Sequence, residues 1–162
     1  MLSSHFKDSS PLPDKLMDDL IKSKDSANGC FNMRQVLFAS MDQLFHTSPQ
    51  VCNTAEVYKK FTKEFMMLEL EAEGLNMNAS FGHLTGGYEA QYYSYLWSEV
   101  YSQDMFESRF NKEGVLNPRT GMDYRRCILE PGGSIDAAEM VTNFLGRAPN
   151  EEAFLKSKGI SA

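Results

Sequence analysis

The residues of this chain best suited to chemistry lie between positions 80 and 101. His83 stands in a segment with three glycines, Gly82, Gly86 and Gly87. Having no Cβ, these glycines let the backbone reach positive φ at low steric cost. Three phenols follow at helical spacing, those of Tyr88, Tyr92 and Tyr95. An imidazole on a movable loop beside hydroxyl donors is typical of a lid that closes over a substrate and stabilises negative charge.

The same pattern also has a purely structural interpretation. Tyrosines at helical spacing commonly pack as half-buried side chains with outward hydroxyls, and a Gly-Gly pair ahead of a helix is commonly a turn. The residues alone therefore define a candidate site and leave both interpretations open.

Helical periodicity runs through the sequence without strand-like alternation, so we predict an all-α fold with residues 1–162 as one domain. The predicted helices cover residues 14–24, 31–45, 53–73, 88–112, 118–129, 134–146 and 149–159. His46 should end the second helix at the negative end of its dipole, and Ser134 should cap the sixth. The long central helix, 88–112, should bury five apolar residues: Leu96, Trp97, Val100, Met105 and Phe106.

Composition excludes several classes of function. The net charge is −6, from 22 acidic and 16 basic residues without a basic run, which disfavours nucleic-acid binding. No apolar run approaches the length of a membrane span, and the first ten residues lack a signal core. Cys30, Cys52 and Cys127 lack C-x-x-C spacing and indicate reduced thiols. We expect a cytoplasmic protein, while a mitochondrial location of a longer parent stays open.

A resemblance to a known family begins at the candidate site. The string F-G-H-L-T-G-G-Y-E-A-Q-Y-Y-S-Y-L-W-S-E-V, at 81–100, resembles the thimet oligopeptidase and neurolysin family of zinc metallo-oligopeptidases, peptidase family M3. Further matching strings are F-N-M-R-Q-V (31–36), D-M-F-E-S-R-F (104–110), E-G-V-L-N (113–117), G-M-D-Y-R-R-C-I-L-E-P-G-G-S (121–134) and F-L-G-R (144–147). The resemblance covers essentially the whole chain and implies the helical C-terminal part of a larger catalytic domain.

The resemblance also implies a role for each site residue in a zinc-dependent endopeptidase acting on short peptides. Tyr95 matches the family tyrosine that donates to the oxyanion, and His83 assists it from the loop. Tyr88 and Tyr92 should bind the peptide backbone or shape the subsites. The hinge is expected at the glycines, Gly82, Gly86 and Gly87.

The zinc ligands that the family requires are absent from this sequence. The family uses an H-E-x-x-H helix, which places two histidines on one face with a glutamate between them as general base, and a distal glutamate. His5, His46 and His83 are followed by Phe6, Thr47 and Leu84, so the motif does not occur. We expect the ligands upstream of the matched region, and we expect the isolated chain to bind no zinc and to be inactive.

A second interpretation stays open for the polypeptide as written. It describes a non-catalytic helical module that binds peptides or a partner, such as the missing N-terminal part of the peptidase, or that associates with itself. A metal-storing helical bundle is excluded because no pair of ligands is spaced to bind one ion.

Overall fold

The computed structural model describes residues 4–71, 74 and 76–160, and within these ranges the chain forms helices and turns without any strand. The prediction of an all-α fold is confirmed. The chain divides into two compact units, one ending at Phe81 and one starting at Gly82. Nothing tests the assignment of 1–162 to one domain, and it stays a prediction. No helix among the described residues has the length and apolar character that crossing a bilayer requires.

The described residues of the first unit form three α-helices and a short 3₁₀ turn. These are α1 Asp14–Ser23, α2 Asn28–Thr47, α3 Thr54–Met66 and the turn Met77–Ser80. Asn53 caps α3, its side-chain oxygen accepting hydrogen bonds from the backbone N–H groups of Ala55 and Glu56. Such a cap satisfies donors that the first turn leaves without intrahelical partners.

The third helix is shorter than predicted. It ends at Met66 because Met67 adopts a left-handed conformation with φ 56°, a common way for a helix to stop. Lys63 then forms an ion pair with Glu69 at 2.6 Å across the turn. Residues 69–71 are therefore not helical, and the last two residues of the predicted helix, 72 and 73, lie outside the described residues.

The core of the first unit lies where α2 meets α3. Leu37, Phe38 and Met41 are buried on α2, and the Phe38 ring packs against that of Phe81 with centroids 4.8 Å apart. His46 lies in the last turn of α2, as predicted, where its Nδ1 is 2.8 Å from the carbonyl oxygen of Asp42.

Between residues 82 and 160 the second unit contains five α-helices, two π-helical segments and two short 3₁₀ turns. The α-helices are α4 Ser94–Met105, α5 Asn111–Glu113, α6 Pro118–Tyr124, α7 Ala137–Leu145 and α8 Glu152–Ser157. The π-helical segment Phe106–Phe110 joins α4 to α5, and Arg125–Leu129 extends α6. The 3₁₀ turns are Gly82–Leu84 and Gly132–Ser134.

The central helix differs from its prediction at its start and in its core. It begins at Ser94, because residues 88–93 form turns in which Gln91 donates to the carbonyl of Tyr88 and Ser94 to that of Gln91. Val100 is buried as predicted, but Trp97 and Phe106 are 55% and 42% exposed. The prediction that the latter two lie in the core is therefore wrong for this chain.

The cap of the sixth predicted helix is also different. Ser134 lies in a 3₁₀ turn, and α7 is capped by Asp136, whose carboxylate accepts hydrogen bonds from the N–H groups of Ala138 and Glu139. The predicted end of this helix is confirmed by Gly146, which takes φ 74° at the C-cap. A glycine takes this left-handed conformation without the Cβ penalty.

A carboxylate buried on α4 ties distant parts of the second unit together. Asp104 is 1% exposed and accepts hydrogen bonds from Arg147 Nη1 at 2.9 Å, Ser108 Oγ at 3.0 Å and the Asn150 N–H at 2.9 Å. Burial alone would raise the pKa of Asp104, but the donors, Arg147 first among them, outweigh burial and hold that pKa below its ordinary value. The carboxylate is therefore ionised and well paired.

A second charged group lies beside the aromatic core. Arg109 donates to Asp123 at 2.8 Å, to Glu113 and to the backbone carbonyl of Phe144. Its guanidinium also lies over the Phe144 ring, 4.8 Å from the centroid. Phe144 itself is 1% exposed and packs against Phe110 and Tyr124. The charge of Arg109 is thus compensated where it borders apolar side chains.

Candidate functional site

The glycine-rich segment folds into a closed turn. Leu84 is buried and the N–H of Thr85 points to the carbonyl of Gly82 at 3.4 Å. A Cβ added to Gly86 would overlap that same carbonyl oxygen, and Gly87 has φ +94°. The turn therefore requires glycine at positions 86 and 87. A Cβ at Gly82 would meet nothing within 4 Å, so this position has no such steric requirement.

The turn places His83 against all three predicted tyrosines. Its Nε2 lies 3.1 Å from the Tyr95 hydroxyl oxygen. The imidazole centroid is 5.1 Å from the Tyr92 ring, 5.7 Å from the Tyr88 ring and 5.8 Å from the Tyr95 ring. The structure thus brings the four side chains together, and we call this set, His83, Tyr88, Tyr92 and Tyr95, the His–Tyr cluster.

The His–Tyr cluster forms by a different route from the one predicted. The three tyrosines do not share one helical face, because only Tyr95 lies on α4 while Tyr88 and Tyr92 belong to the preceding turns. Ala90 takes φ +58°, a left-handed conformation that is unfavourable for alanine. Such strain recurs at functional sites, where surrounding contacts hold it in place. Here the turns fold the segment back so that His83 contacts tyrosines before and on the helix.

Burial within the cluster is uneven. Tyr92 is 8% exposed and forms its base, whereas Tyr88 and Tyr95 are 55% and 53% exposed. The Tyr95 hydroxyl is therefore accessible from solvent although it is already bonded to His83. If His83 carries its proton on Nε2 and donates to Tyr95, the tyrosine O–H stays available to a ligand oxygen. This arrangement can donate a hydrogen bond to a carbonyl oxygen or an oxyanion.

One contact of the loop was missed in the sequence. The carboxylate of Glu89 accepts a hydrogen bond from the N–H of Gly87 at 3.2 Å, across the turn that requires glycine. No clear sequence signal indicated this contact, because local bonds from a side chain to the backbone of a turn are typical of Ser, Thr, Asn and Asp and not of the longer Glu.

An aromatic pair, exposed Trp97 and half-buried Tyr101, lies further along α4. The indole N–H of Trp97 donates to the Tyr101 hydroxyl at 2.8 Å, one helical turn further along. This bond explains how a half-exposed tryptophan satisfies its polar atom without entering the core.

The described residues do not assemble the zinc site implied by the family resemblance. In the part of the chain that the structure describes, no three His, Cys, Asp or Glu side chains converge as metal ligands. A catalytic zinc site normally takes three protein ligands.

Comparisons with known proteins agree on one family. The sequence model of peptidase family M3 matches residues 1–160. Over 162 residues the chain is 42% identical to a thimet-like oligopeptidase of Dictyostelium discoideum, covering 98% of this chain and 24% of the relative. It is 34% identical to saccharolysin of Saccharomyces cerevisiae and 36% identical to an oligopeptidase A of Haemophilus influenzae, again over 98% of the chain and 23% and 24% of those relatives. The chain thus spans about a quarter of the length of these curated relatives.

Proposed function

Because the chain belongs to peptidase family M3, a family of peptide-cleaving metallopeptidases, we propose that residues 82–95 bind peptide substrate and stabilise the transition state of its hydrolysis. The observation that carries this proposal is the 3.1 Å approach of His83 Nε2 to the exposed hydroxyl of Tyr95. The imidazole then holds the phenol by a hydrogen bond, and the phenol O–H can donate to a ligand at an accessible point.

The chemistry of peptide hydrolysis explains why such a pair is useful. Addition of a nucleophile to the peptide carbonyl converts its oxygen into an oxyanion, and preorganised donors lower the barrier by meeting that charge as it forms. Tyr95 donates its O–H to this oxygen. His83 donates Nε2–H to the tyrosine oxygen, which orients the hydroxyl and polarises it further.

The other residues of the segment shape the site around this pair. Tyr92 is buried and supports the imidazole from below, so it acts on the subsite rather than on the peptide chain. Tyr88 is exposed beside the imidazole and contacts the peptide. Gly86 and Gly87 form the turn that carries His83, and movement at this turn opens and closes the site.

Hydrolysis requires metal ligands that this chain does not supply. Its three histidines lack the H-E-x-x-H spacing. We therefore propose that the chain alone does not hydrolyse peptides. It contributes binding and oxyanion donors to a site completed by other residues of an M3 fold.

The test replaces Tyr95 by Phe in a complete enzyme. A suitable host is the Dictyostelium relative with its matched quarter exchanged for this chain, since the two are 42% identical there. Tyr95→Phe removes one hydroxyl and retains the ring. We expect kcat to fall about 10²-fold or more with little change in KM, because the lost bond strengthens only in the transition state.

Tyr93→Phe is the matched control. Tyr93 is exposed to a similar degree, 51% against 53%, and loses the same hydroxyl. It should change kcat less than twofold, a bound set by the small effect of surface substitutions. Equal losses in the two variants would show that Tyr95 acts only as a packed aromatic residue.

A further inference from the structure

Glu89 makes a contact to which the proposed function gives no role. Its carboxylate Oε1 accepts a hydrogen bond from the backbone N–H of Gly87 at 3.2 Å, although the side chain lies at the surface. The donor belongs to one of the two glycines that the turn around His83 requires. Because the acceptor is ionised, this bond is stronger than one between two neutral groups.

The residues on either side of Tyr88 and Glu89 have left-handed backbone conformations. Gly87 takes φ +94°, and Ala90 takes φ +58°, which is unfavourable for alanine. Because glycine reaches many other conformations as easily, a contact that holds Gly87 narrows the positions that the turn can take. The Glu89 carboxylate makes such a contact, and the N–H of Gln91 closes the following turn on the carbonyl of Tyr88.

The bond from Gly87 to Glu89 links the two turns on which the His–Tyr cluster depends. The first is the glycine turn, which carries His83. The second covers residues 88–91 and leads towards α4, which carries Tyr95. Glu89 belongs to the second turn and holds the last glycine of the first. The 3.1 Å separation of the His83 Nε2 and the Tyr95 hydroxyl oxygen therefore depends on how these turns are held together.

We propose that Glu89 is a positioning residue for His83. Its carboxylate holds the N–H of Gly87, and the glycine turn then keeps the imidazole against the Tyr95 hydroxyl. The effect of Glu89 on catalysis rests on the function proposed above, whereas its effect on the place of the imidazole does not. A direct electrostatic action on the substrate is the alternative. That action would require the charge of Glu89, whereas positioning requires its acceptor oxygen.

The first experiment measures the place of the imidazole in this chain by NMR. Glu89→Met removes both acceptor oxygens at nearly constant length, whereas Glu89→Gln removes the charge and retains one acceptor oxygen. We expect the nuclear Overhauser contact between the His83 and Tyr95 rings to weaken at least about threefold in Glu89→Met, as loss of one hydrogen bond allows. The contact should persist in Glu89→Gln.

Glu130→Met is the matched control for this measurement, because Glu130 is also exposed in the second unit. It should leave the contact between the two rings unchanged. A contact of full intensity in Glu89→Met, or an equal loss in Glu130→Met, would overturn the proposal.

The second experiment measures kinetics in the chimera in which this chain replaces the matched quarter of the Dictyostelium relative. Glu89→Met should lower kcat about fivefold with little change in KM, because a displaced imidazole weakens a donor that acts in the transition state. Glu89→Gln should keep kcat within about twofold of the unchanged chimera, because its amide oxygen accepts the same bond. An equal loss of kcat in both variants would show that the charge acts directly, and it would overturn positioning.

A double-variant cycle separates this inference from the function on which it rests. If Glu89 acts through the bond between His83 and Tyr95, Glu89→Met should lower kcat less than about twofold in a chimera that already carries Tyr95→Phe. The full loss in that background would show that Glu89 acts elsewhere and would overturn the proposal. If Tyr95→Phe alone were silent, the proposed function would fail, and the ring contact in this chain would still decide whether Glu89 positions His83.

Discussion

The second unit contains two polar regions that use hydrogen bonds in opposite ways. Around Asp104, a carboxylate that is 1% exposed receives donors from Arg147, Ser108 and Asn150, residues up to 46 positions away. In the His–Tyr cluster, the bond between His83 and Tyr95 lies at an accessible surface. The first region consumes its bonding capacity internally. The second keeps a hydroxyl where a ligand can reach it.

The two regions differ in what their hydrogen bonds contribute to the stability of the fold. A buried charge is stable only when its partners are in place, so the Asp104 region fixes the relative positions of α4 and the segment after α7. An exposed tyrosine hydroxyl contributes little to stability, because water replaces the lost bond. Tyr95 follows a strained turn, with Ala90 at φ +58°, and strain of this kind agrees with the binding role proposed above.

Among the variants considered, Arg147→Met should lower the free energy of unfolding most, because it disrupts the Asp104 region. The variant retains the aliphatic stem but leaves the Asp104 carboxylate buried without its cation, an arrangement that costs about 3–5 kcal/mol when both partners are buried. Because the Arg147 side chain is 42% exposed, we expect about 3 kcal/mol, the lower end. Urea unfolding followed by Trp97 fluorescence measures the change, since this is the only tryptophan.

Arg126→Met is the control for that substitution. Arg126 is exposed on the π-helical segment that follows α6, so the same change of side chain should alter the unfolding free energy by about 0.5 kcal/mol or less. Similar losses of unfolding free energy in the two variants would mean that any positive charge on the second unit contributes equally. The stabilising role given to the Asp104 region would then be refuted.

The sequence predicted the helices better than the connections between them. Apolar periodicity and helix-start signals, such as Asn53 at the cap of α3 and Pro118 at the first position of α6, located most elements, because those signals act within a few residues. The start of α4 was missed because positive φ at Ala90 has no sequence signal, unlike positive φ at glycine. Trp97 was assigned to the core from its residue type, and its bond to Tyr101 explains why it stays exposed.

The candidate site could be predicted in membership but not in geometry. The residue types and the family resemblance pointed to His83, Tyr88, Tyr92 and Tyr95. Their convergence depends on turn conformations that the residue types do not specify, such as the close approach of Gly86 to the Gly82 carbonyl. The partnership of Asp104 with Arg147 was likewise not predictable, because the two residues are 43 positions apart.

A smaller effect should follow Gly86→Ala. The new Cβ would overlap the carbonyl oxygen of Gly82, so the turn must open and carry His83 away from Tyr95. Overpacking of this kind typically costs about 1–3 kcal/mol, and here it is relieved locally by the loop. We expect loss of the nuclear Overhauser contact between the His83 and Tyr95 rings, with the urea midpoint of the second unit almost unchanged.

Gly82→Ala provides the comparison within the same turn. A Cβ at this position meets nothing within 4 Å, so the ring contact between His83 and Tyr95 should persist. If both alanines abolish the contact, flexibility rather than steric fit holds the loop. If neither does, the turn does not position His83.

Acidification is the smallest perturbation of the Asp104 region, because it adds a proton without removing a side chain. The pKa of Asp104 lies below the ordinary 3.8, since its hydrogen bonds, chiefly from Arg147, outweigh the opposing effect of burial. Because this pKa is lowered in the folded state, the ionised Asp104 stabilises the fold above about pH 4, and this stabilisation is lost as the pH falls through the folded-state pKa. Glu113, whose pKa is lowered by hydrogen bonds from Arg109 and Thr120, contributes in the same direction.

Urea midpoints measured from pH 7 downward should therefore stay level to about pH 5 and then fall. Arg147→Met should fall less steeply over the same interval, because the donor that contributes most to lowering the Asp104 pKa is gone while Glu113 is unchanged. Parallel curves for the two proteins would show that Arg147 does not set the protonation of Asp104, and the stabilising role given to that pair would fail.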